Sequence, residues 1–286
     1  MREGKFFEGK PVQLFHYTDV NAVKSILENK KLWLTDVRYL NDSQEMHDGV
    51  SNILRYVKYQ SDTFSKRHEL FFNSAEFVIA RLGGLSDYGL DRRPVFICSF
   101  SRASDLLSQW RAYGSYAIEF SRDAMPAGLS KCVYDADEKL ERASDVALKS
   151  LMTIANDMEC NDGFLDFPGL KAYSDLVGLA ATFKHESFSE EQEVRLIAGH
   201  DIDPDLDDGL PVKYRSRGDI LVPFVEVDIS LRNIKAIHIG PMRDQELACI
   251  SMKAFLNNIR HAQEVALENY SHEIKVIKSD IPYRAP

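Results

Sequence analysis

Segments with the hydrophobic period of a β-strand and segments with that of an α-helix alternate along the whole of this 286-residue chain. No internal repeat, low-complexity tract or linker rich in Pro, Gly and Ser divides it. With 44% apolar residues, the chain can bury a sizeable core. We therefore predict a single α+β domain over residues 1–286, in which helical insertions occupy about residues 43–82 and 137–183.

The predicted elements follow from hydrophobic period, capping residues and turn residues. Strands are predicted at residues 13–18, 32–34, 94–101, 116–120, 191–198, 220–228, 234–239 and 273–279. Helices are predicted at residues 20–27 after the cap Asp19, 43–57, about 66–82, 104–113, 137–160, 173–183 and 243–260.

Charge and cysteine content restrict the class of protein. With 35 basic and 44 acidic residues, the net charge is −9, which disfavours nucleic-acid binding through phosphate contacts but leaves a local basic groove open. The four cysteines lack a C-x-x-C pair, which predicts reduced, buried thiols and neither zinc nor disulfides. No apolar run has membrane-spanning length and the first ten residues lack a signal-peptide core, so we expect a cytoplasmic protein without a membrane partner.

The sequence Glu191-Gln192-Glu193-Val194-Arg195 is the most informative short segment. Apolar residues alternate with Glu191, Glu193 and Arg195, which predicts a strand with one apolar and one charged face. That charged face is either a place for chemistry or a solvated outer face whose ion pairs contribute little.

Several well-known functional motifs are missing from the sequence. The chain has no G-x-G-x-x-G, P-loop, H-E-x-x-H or G-x-S-x-G sequence. Residues 200–208 contain five aspartates but lack the Gly and Glu of a calcium-binding hand, so we interpret them as a solvated loop. Among the eight histidines only His16 stands out, near the end of the first predicted strand, where a lone histidine is more often structural than catalytic.

Six short strings follow one another between residues 13 and 241. They are Leu14-Phe15-His16-Tyr17-Thr18, Leu40-Asn41-Asp42-Ser43-Gln44-Glu45, Cys98-Ser99-Phe100-Ser101, Leu107-Ser108-Gln109-Trp110-Arg111-Ala112-Tyr113-Gly114, Glu191-Gln192-Glu193-Val194-Arg195 and Ile239-Gly240-Pro241. In this order they resemble the motifs of DUF2971, a bacterial family without an assigned general function that is distantly similar to the ADP-ribosyltransferase fold. The resemblance implies a split, mostly antiparallel sheet. One departure is that Gly114 leads through Ser115 directly into a strand, without a longer Gly-rich turn.

The resemblance also implies NAD as the substrate and a pair of catalytic carboxylates. Glu193 would accept a hydrogen bond from a ribose hydroxyl and oppose the positive charge that develops on the ribose as nicotinamide leaves. Glu191 would orient or deprotonate the acceptor, and its charge would raise one of the two pKa values.

The remaining site residues implied by the resemblance would bind NAD. His16 would donate to the ribose or diphosphate, and Ser99 or Ser101 would position Glu193. Tyr17 or Trp110 would stack on nicotinamide.

Each of these residues also has a structural interpretation. Trp110 with Tyr113 fits helix packing. Ser99 and Ser101 fit ordinary strand hydroxyls, and Arg195 fits an ion pair with Glu193 or Glu191. The group Asn41, Asp42 and Glu45 fits a capped helix start.

The expected function is therefore NAD-dependent ADP-ribosyl transfer to an unknown protein or nucleic-acid acceptor, or NAD hydrolysis. One alternative is a nucleotide- or partner-binding regulatory module without turnover. Another is a metal-dependent nuclease that uses Asp42 and Glu45. Toxicity on expression would point to a role as a toxin or in phage defence. Neither the acceptor nor the oligomeric state follows from the sequence.

Overall fold

The computed structural model describes residues 13–40, 44–64, 69–86, 94–121, 128–198, 210–266 and 272–282. Its strands are β1 (Gln13–Thr18), β2 (Lys31–Asp36), β3 (Phe96–Ser101), β4 (Tyr116–Ser121), β5 (Leu129–Lys131), β6 (Glu193–Ala198), β7 (Lys213–Arg217), β8 (Ile220–Asp228), β9 (Ile234–Ile239) and β10 (Lys275–Lys278). Its α-helices are α1 (Val20–Asn29), α2 (Gln44–Phe64), α3 (Glu69–Leu82), α4 (Leu107–Tyr113), α5 (Ala136–Cys160), α6 (Phe167–Ala180) and α7 (Gln245–Ala266). Within the described residues, no helix is both long and apolar enough to cross a bilayer.

The strands form one open sheet in the order β10-β9-β4-β1-β3-β2-β8-β7, and β6 pairs with β3 and with β5. Every pair is antiparallel except β9 with β10, within the described residues. The prediction of a mixed α+β structure with a mostly antiparallel sheet is therefore confirmed.

The sheet forks at β3. On one edge β3 pairs with β6 along its whole length, from residue 96 to residue 101. On the other edge β2 pairs with Phe96 and Ile97, whereas β1 pairs with Ser101. Residues 98–100 have no strand neighbour on that edge among the described elements, so β1 and β2 diverge there. This divergence opens a cleft between them.

The helices occupy two places. Helices α1 and α7 pack on the sheet and share a core with it through buried side chains such as Ile26 and Met252. Helices α2, α3, α5 and α6 form a second core, to which the sheet contributes Ile97 and Ile197. The two predicted insertions thus fold into one four-helix group.

Within this group, α2 and α6 meet backbone to backbone. A Cβ atom added to Gly49 would lie 2.1 Å from the carbonyl oxygen of Ala180, far inside contact distance. The absence of a side chain at Gly49 is therefore a requirement of the packing.

Many predicted bounds agree with the structure. Strands β1, β8 and β9 begin and end where predicted, and Asp19 caps α1 by accepting from the Ala22 amide at 2.9 Å. Strands β5 and β7 were not predicted, and α6 begins six residues early, at Phe167. Three of the four cysteines are buried, but Cys160 is exposed. The predicted turn at Asn41 and Asp42 and the aspartate-rich loop lie outside the described residues.

The strand predicted at residues 191–198 is wrong at its start. Residues Glu186–Glu191 form a 3₁₀ helix, and Gln192 has a φ of 45°, in the left-handed region. The strand begins at Glu193, and the side chains on both of its faces are buried from there to Ile197. Glu191 and Glu193 therefore do not share a strand face, and the interpretation as a solvated charged face is also wrong.

Candidate functional site

A cavity of about 840 Å³ lies in the cleft between β1 and β2. Its walls come from β1, the start of α1, β2, β3, α4, β7 and residues 184–195. Cavities of this size hold small molecules and cofactors in other proteins. Of the predicted site residues, those that line it are His16, Tyr17, Ser99, Ser101, Glu191 and Glu193.

One wall carries a cluster of ion pairs, which we call the paired cluster: Lys184, Glu191, Glu193 and Arg195. Arg195 Nε donates to Glu193 Oε1 at 2.7 Å, and Lys184 Nζ donates to Glu193 Oε2 at 2.5 Å. Lys184 Nζ also donates to Glu191 Oε2 at 2.6 Å. Side chains in this cluster are no more than 12% exposed. The structural interpretation of Arg195 as a partner of Glu193 is confirmed.

The two cations decide the ionisation of Glu193. Burial by itself would raise the pKa of this carboxyl, but the charges and hydrogen bonds of Arg195 and Lys184 outweigh it and lower the pKa to about 2. The predicted rise from a neighbouring carboxylate does not occur at Glu193, because Lys184 Nζ bonds to both carboxylates. Glu193 is therefore ionised throughout the physiological range and is a weak base.

Ser101 holds the backbone at Glu191, and not the carboxylate of Glu193. Its Oγ donates to the Glu191 carbonyl at 2.6 Å and accepts from the Ala103 amide at 3.0 Å. Ser99 lies opposite Arg195 in the β3–β6 pair and lines the cavity. Ser101 therefore positions the segment that enters β6, whereas Ser99 lies in the lining of the cavity.

His16 fills the gap that the fork leaves in the sheet. Its Nδ1 lies 3.0 Å from the Ser99 carbonyl, and since a carbonyl only accepts, Nδ1 carries the proton. Burial lowers the pKa of His16, opposed by this hydrogen bond, so the ring is neutral near pH 7. Nε2, for which no described residue is a partner, is then an acceptor. It suits a ligand hydroxyl better than the predicted donation to a diphosphate.

Cys98 lies beside this histidine, with 3.7 Å between its Sγ and His16 Nδ1. Burial, reinforced by the charge of Glu193, raises the pKa of the Cys98 thiol to about 12. The thiol stays protonated, so this pair does not form an activated nucleophile.

The prediction that Tyr17 or Trp110 stacks on nicotinamide does not fit the structure. The two rings meet edge to face, with 4.6 Å between their centroids, and each side chain is 6% exposed. The Tyr17 hydroxyl donates to the Ala103 carbonyl and accepts from the Leu106 amide, while Trp110 Nε1 donates to Asp105. Trp110 does not line the cavity. Both residues serve packing, as the structural interpretation of Trp110 expected.

Trp33 and Arg215 line the cavity and were missed by sequence reasoning. The guanidinium carbon of Arg215 lies 5.5 Å from the centroid of the Trp33 ring, and its Nη2 donates to Thr35 Oγ1 at 3.0 Å. Within the described part of the chain, no carboxylate lies within ion-pair distance of Arg215, although the side chain is half-buried. Burial lowers its pKa, but a guanidinium stays charged. Gln109, quoted in a motif but not predicted as a site residue, also lines the cavity.

The lining of the cavity has a more positive net charge than the chain as a whole. Five cationic and three carboxylate side chains line it: Lys31, Lys184, Arg195, Arg215 and Arg217 against Asp19, Glu191 and Glu193. The whole chain has a net charge of −9. The cleft is therefore the local basic groove that composition left open, and it suits an anionic ligand.

The nuclease alternative gains no support. Among the residues that the structure describes, no group of three or more His, Cys, Asp or Glu side chains is arranged to hold a metal ion. Asp42 and the side chain of Glu45 lie outside those residues.

One family model matches a segment that includes most of α4 and β6, which border this cleft. Residues 109–196 match the model of the DUF2971 family, described as a protein of unknown function. This confirms the predicted resemblance to DUF2971 over a segment that runs from α4 through the paired cluster. No curated protein and no solved structure matched the chain. The similarity to the ADP-ribosyltransferase fold thus stays a prediction, and DUF2971 itself carries no assigned activity.

Proposed function

We propose that the cleft binds NAD and that the protein transfers its ADP-ribosyl group to an acceptor or to water. The observation that carries this proposal is the fork at β3, which gathers His16, Ser99 and Glu193 around one cavity. The resemblance implies a role in NAD binding or turnover for each of these three residues. Their meeting at one cavity supports the proposal.

The electrostatics of the cavity support a dinucleotide. A diphosphate carries two negative charges, and Arg215 is a cation of the wall without a carboxylate partner among the described residues. Guanidinium groups bind phosphate oxygens through paired N–H donors. Trp33, beside it, lines the same wall and packs against Phe224.

The reaction requires the C1′–N bond of the nicotinamide riboside to break, with its electron pair leaving on nicotinamide. The acceptor then bonds to C1′ and loses its proton to solvent water. Glu193, with a pKa of about 2, is ionised and can oppose the positive charge on the ribose. A carboxylate has about four acceptor positions, and protein donors make three hydrogen bonds to Glu193, so it can accept about one more from a ribose hydroxyl. His16 Nε2 is a second acceptor for such a hydroxyl.

The test is release of nicotinamide from NAD by the purified protein. We expect Glu193→Gln to lower the rate by roughly 10²–10³, the size typical of losing one electrostatic group at a reacting centre. Glu190→Gln is the matched control, because Glu190 is exposed in the same segment. Since Glu193 also holds Lys184 and Arg195, circular dichroism must show that the variant is folded at the assay temperature. Full activity in a folded Glu193→Gln protein would remove Glu193 from the reaction.

A regulatory module that binds a nucleotide without turnover is the second candidate. It is favoured by the two cations on Glu193, which offset the negative charge that the reaction would use. Calorimetry with NAD separates the two functions: binding without nicotinamide release, in the presence of candidate protein and nucleic-acid acceptors, supports the module.

A further inference from the structure

Helix α4 presents two different faces. Trp110 anchors one face in the small apolar cluster with Phe15, Tyr17 and Ala117. A Cβ on Gly240 would lie 2.7 Å from the Trp110 ring, so the backbone at Gly240 closes directly over the indole. The helix is thereby fixed against the sheet.

The other face of α4 borders the cavity. Gln109, Ala112 and Tyr113 line it, at the i, i+3 and i+4 spacing that places side chains on one side of a helix. Because Trp110 immobilises the helix, the position of Gln109 in the cavity wall is fixed as well.

Gln109 is a buried amide without a hydrogen-bond partner among the residues that the structure describes. Its side chain is 6% exposed, and no described residue forms a hydrogen bond with its oxygen or nitrogen. A primary amide has two donors and an acceptor with two lone pairs, and burying it unsatisfied costs free energy. In a cavity wall, such a group is available to form hydrogen bonds with a ligand that enters.

We propose that Gln109 recognises a ligand edge on which a hydrogen-bond donor and an acceptor lie side by side. The carboxamide of nicotinamide has this edge, and so does adenine at N6 and N7, which glutamine binds bidentately in other complexes. The inference rests on the proposed function in taking NAD as the ligand, but it requires binding only and no turnover.

Binding of NAD and two of its analogues distinguishes the nicotinamide carboxamide from the adenine edge as the group that Gln109 recognises. In nicotinic acid adenine dinucleotide a carboxylate replaces the carboxamide, and in nicotinamide hypoxanthine dinucleotide a carbonyl replaces the adenine amine. Calorimetry should show that the wild-type protein binds NAD at least about tenfold more tightly than one of these two analogues, and the analogue that is rejected identifies the edge. The variant Gln109→Met keeps the side-chain volume and should lose this preference.

Thermal unfolding gives an independent readout. Gln109→Met should leave the midpoint temperature unchanged or raise it, because it removes an unsatisfied buried amide. Gln60→Met is the matched control: Gln60 is 8% exposed and its amide donates to the Tyr56 hydroxyl, so this variant should unfold at a lower temperature.

Three results would overturn the inference. Gln109→Met unfolding earlier, as Gln60→Met does, would mean that the amide has a structural partner. A preference that survives in Gln109→Met would place recognition elsewhere, and absence of binding to all three dinucleotides would remove the ligand. Binding with a Gln109-dependent preference but without nicotinamide release would refute the catalytic proposal alone.

Discussion

Two parts of the same cavity lining treat their polar groups in opposite ways. In the paired cluster, Glu193 and Lys184 bond to each other inside the protein. Elsewhere in the lining, on both sides of the cleft, the Gln109 amide, His16 Nε2 and the charge of Arg215 have no such partner among the described residues, and we call these three groups together the open wall.

The difference shows that buried polar groups can serve either stability or ligand binding. A satisfied buried ion pair is costly to break, so the paired cluster is expected to hold the structure together. A buried group without a partner reduces stability, so its presence calls for an explanation, and in a cavity wall a bound ligand provides one. Substitutions in the paired cluster should therefore change stability first, whereas those in the open wall should change ligand affinity with little effect on stability.

Lys184→Met should have the largest effect. It would leave Glu193 and Glu191 without the ammonium that bonds to both, and breaking a buried pair by removing one partner costs about 3–5 kcal/mol. Denaturant unfolding measures this loss. Lys171→Met is the control, because Lys171 and Asp175 are about half exposed, and the loss of a surface pair costs about 1 kcal/mol or less. Equal losses in the two variants would contradict the comparison.

Acid should weaken the paired cluster next. The pKa of Glu193 is lowered from 4.5 to about 2, so its contribution is fully present above pH 4.5 and is lost as the pH falls through 2. A shift of this size corresponds to about 3 kcal/mol. The difference in unfolding free energy between wild type and Glu193→Gln should therefore shrink between pH 6 and pH 2. A difference that stays constant over this range would show that Glu193 is not held as an anion.

Arg215→Gln should have the smallest effect on stability, about 1 kcal/mol, because it removes the hydrogen bond to Thr35 and the contact with Trp33 but breaks no ion pair. It should weaken the binding of ADP about tenfold or more, the value of one charge-assisted hydrogen bond. Adenosine, which lacks phosphate, should bind wild type and variant alike. Arg232→Gln, an exposed arginine outside the cavity lining, is the control. If ADP bound equally to wild type and Arg215→Gln, the open wall would not be a phosphate site.

The sequence predicts local features of the fold well. Strand β8 depends on a run of apolar residues and the Asp19 cap on a short polar side chain, both visible within a few residues. The start of β6 is different: alternation continues through Glu191, but the left-handed turn at Gln192 breaks the strand, and tertiary contacts decide this. Strand β7 is polar at nearly every position, so no period marks it.

The sequence predicted only those site residues that belong to a recognisable motif. His16, Ser99 and Glu193 were found by resemblance, and the structure brings them to one cavity. Lys184 was missed because it follows the end of α6, nine residues before Glu193, and nothing in its neighbours marks it as buried. The role of Trp110 was misjudged because a sequence does not show which side of a helix meets the cavity. Tyr17 does line the cavity, but its ring packs against Trp110 and its hydroxyl bonds to backbone groups, which a sequence does not show either.

The contact between Gly49 and Ala180 has a mechanical consequence. The residue after Ala180 supplies the carbonyl that receives Arg195 Nη1 at 2.7 Å, so the end of α6 touches α2 on one side and the arginine of the cleft on the other. Any force that pries α2 from α6 would displace that oxygen and loosen the guanidinium that steadies Glu193. The four-helix group is thus mechanically coupled to the cleft. We expect that a protein bound to those helices would shift Arg195 and change the shape of the cavity.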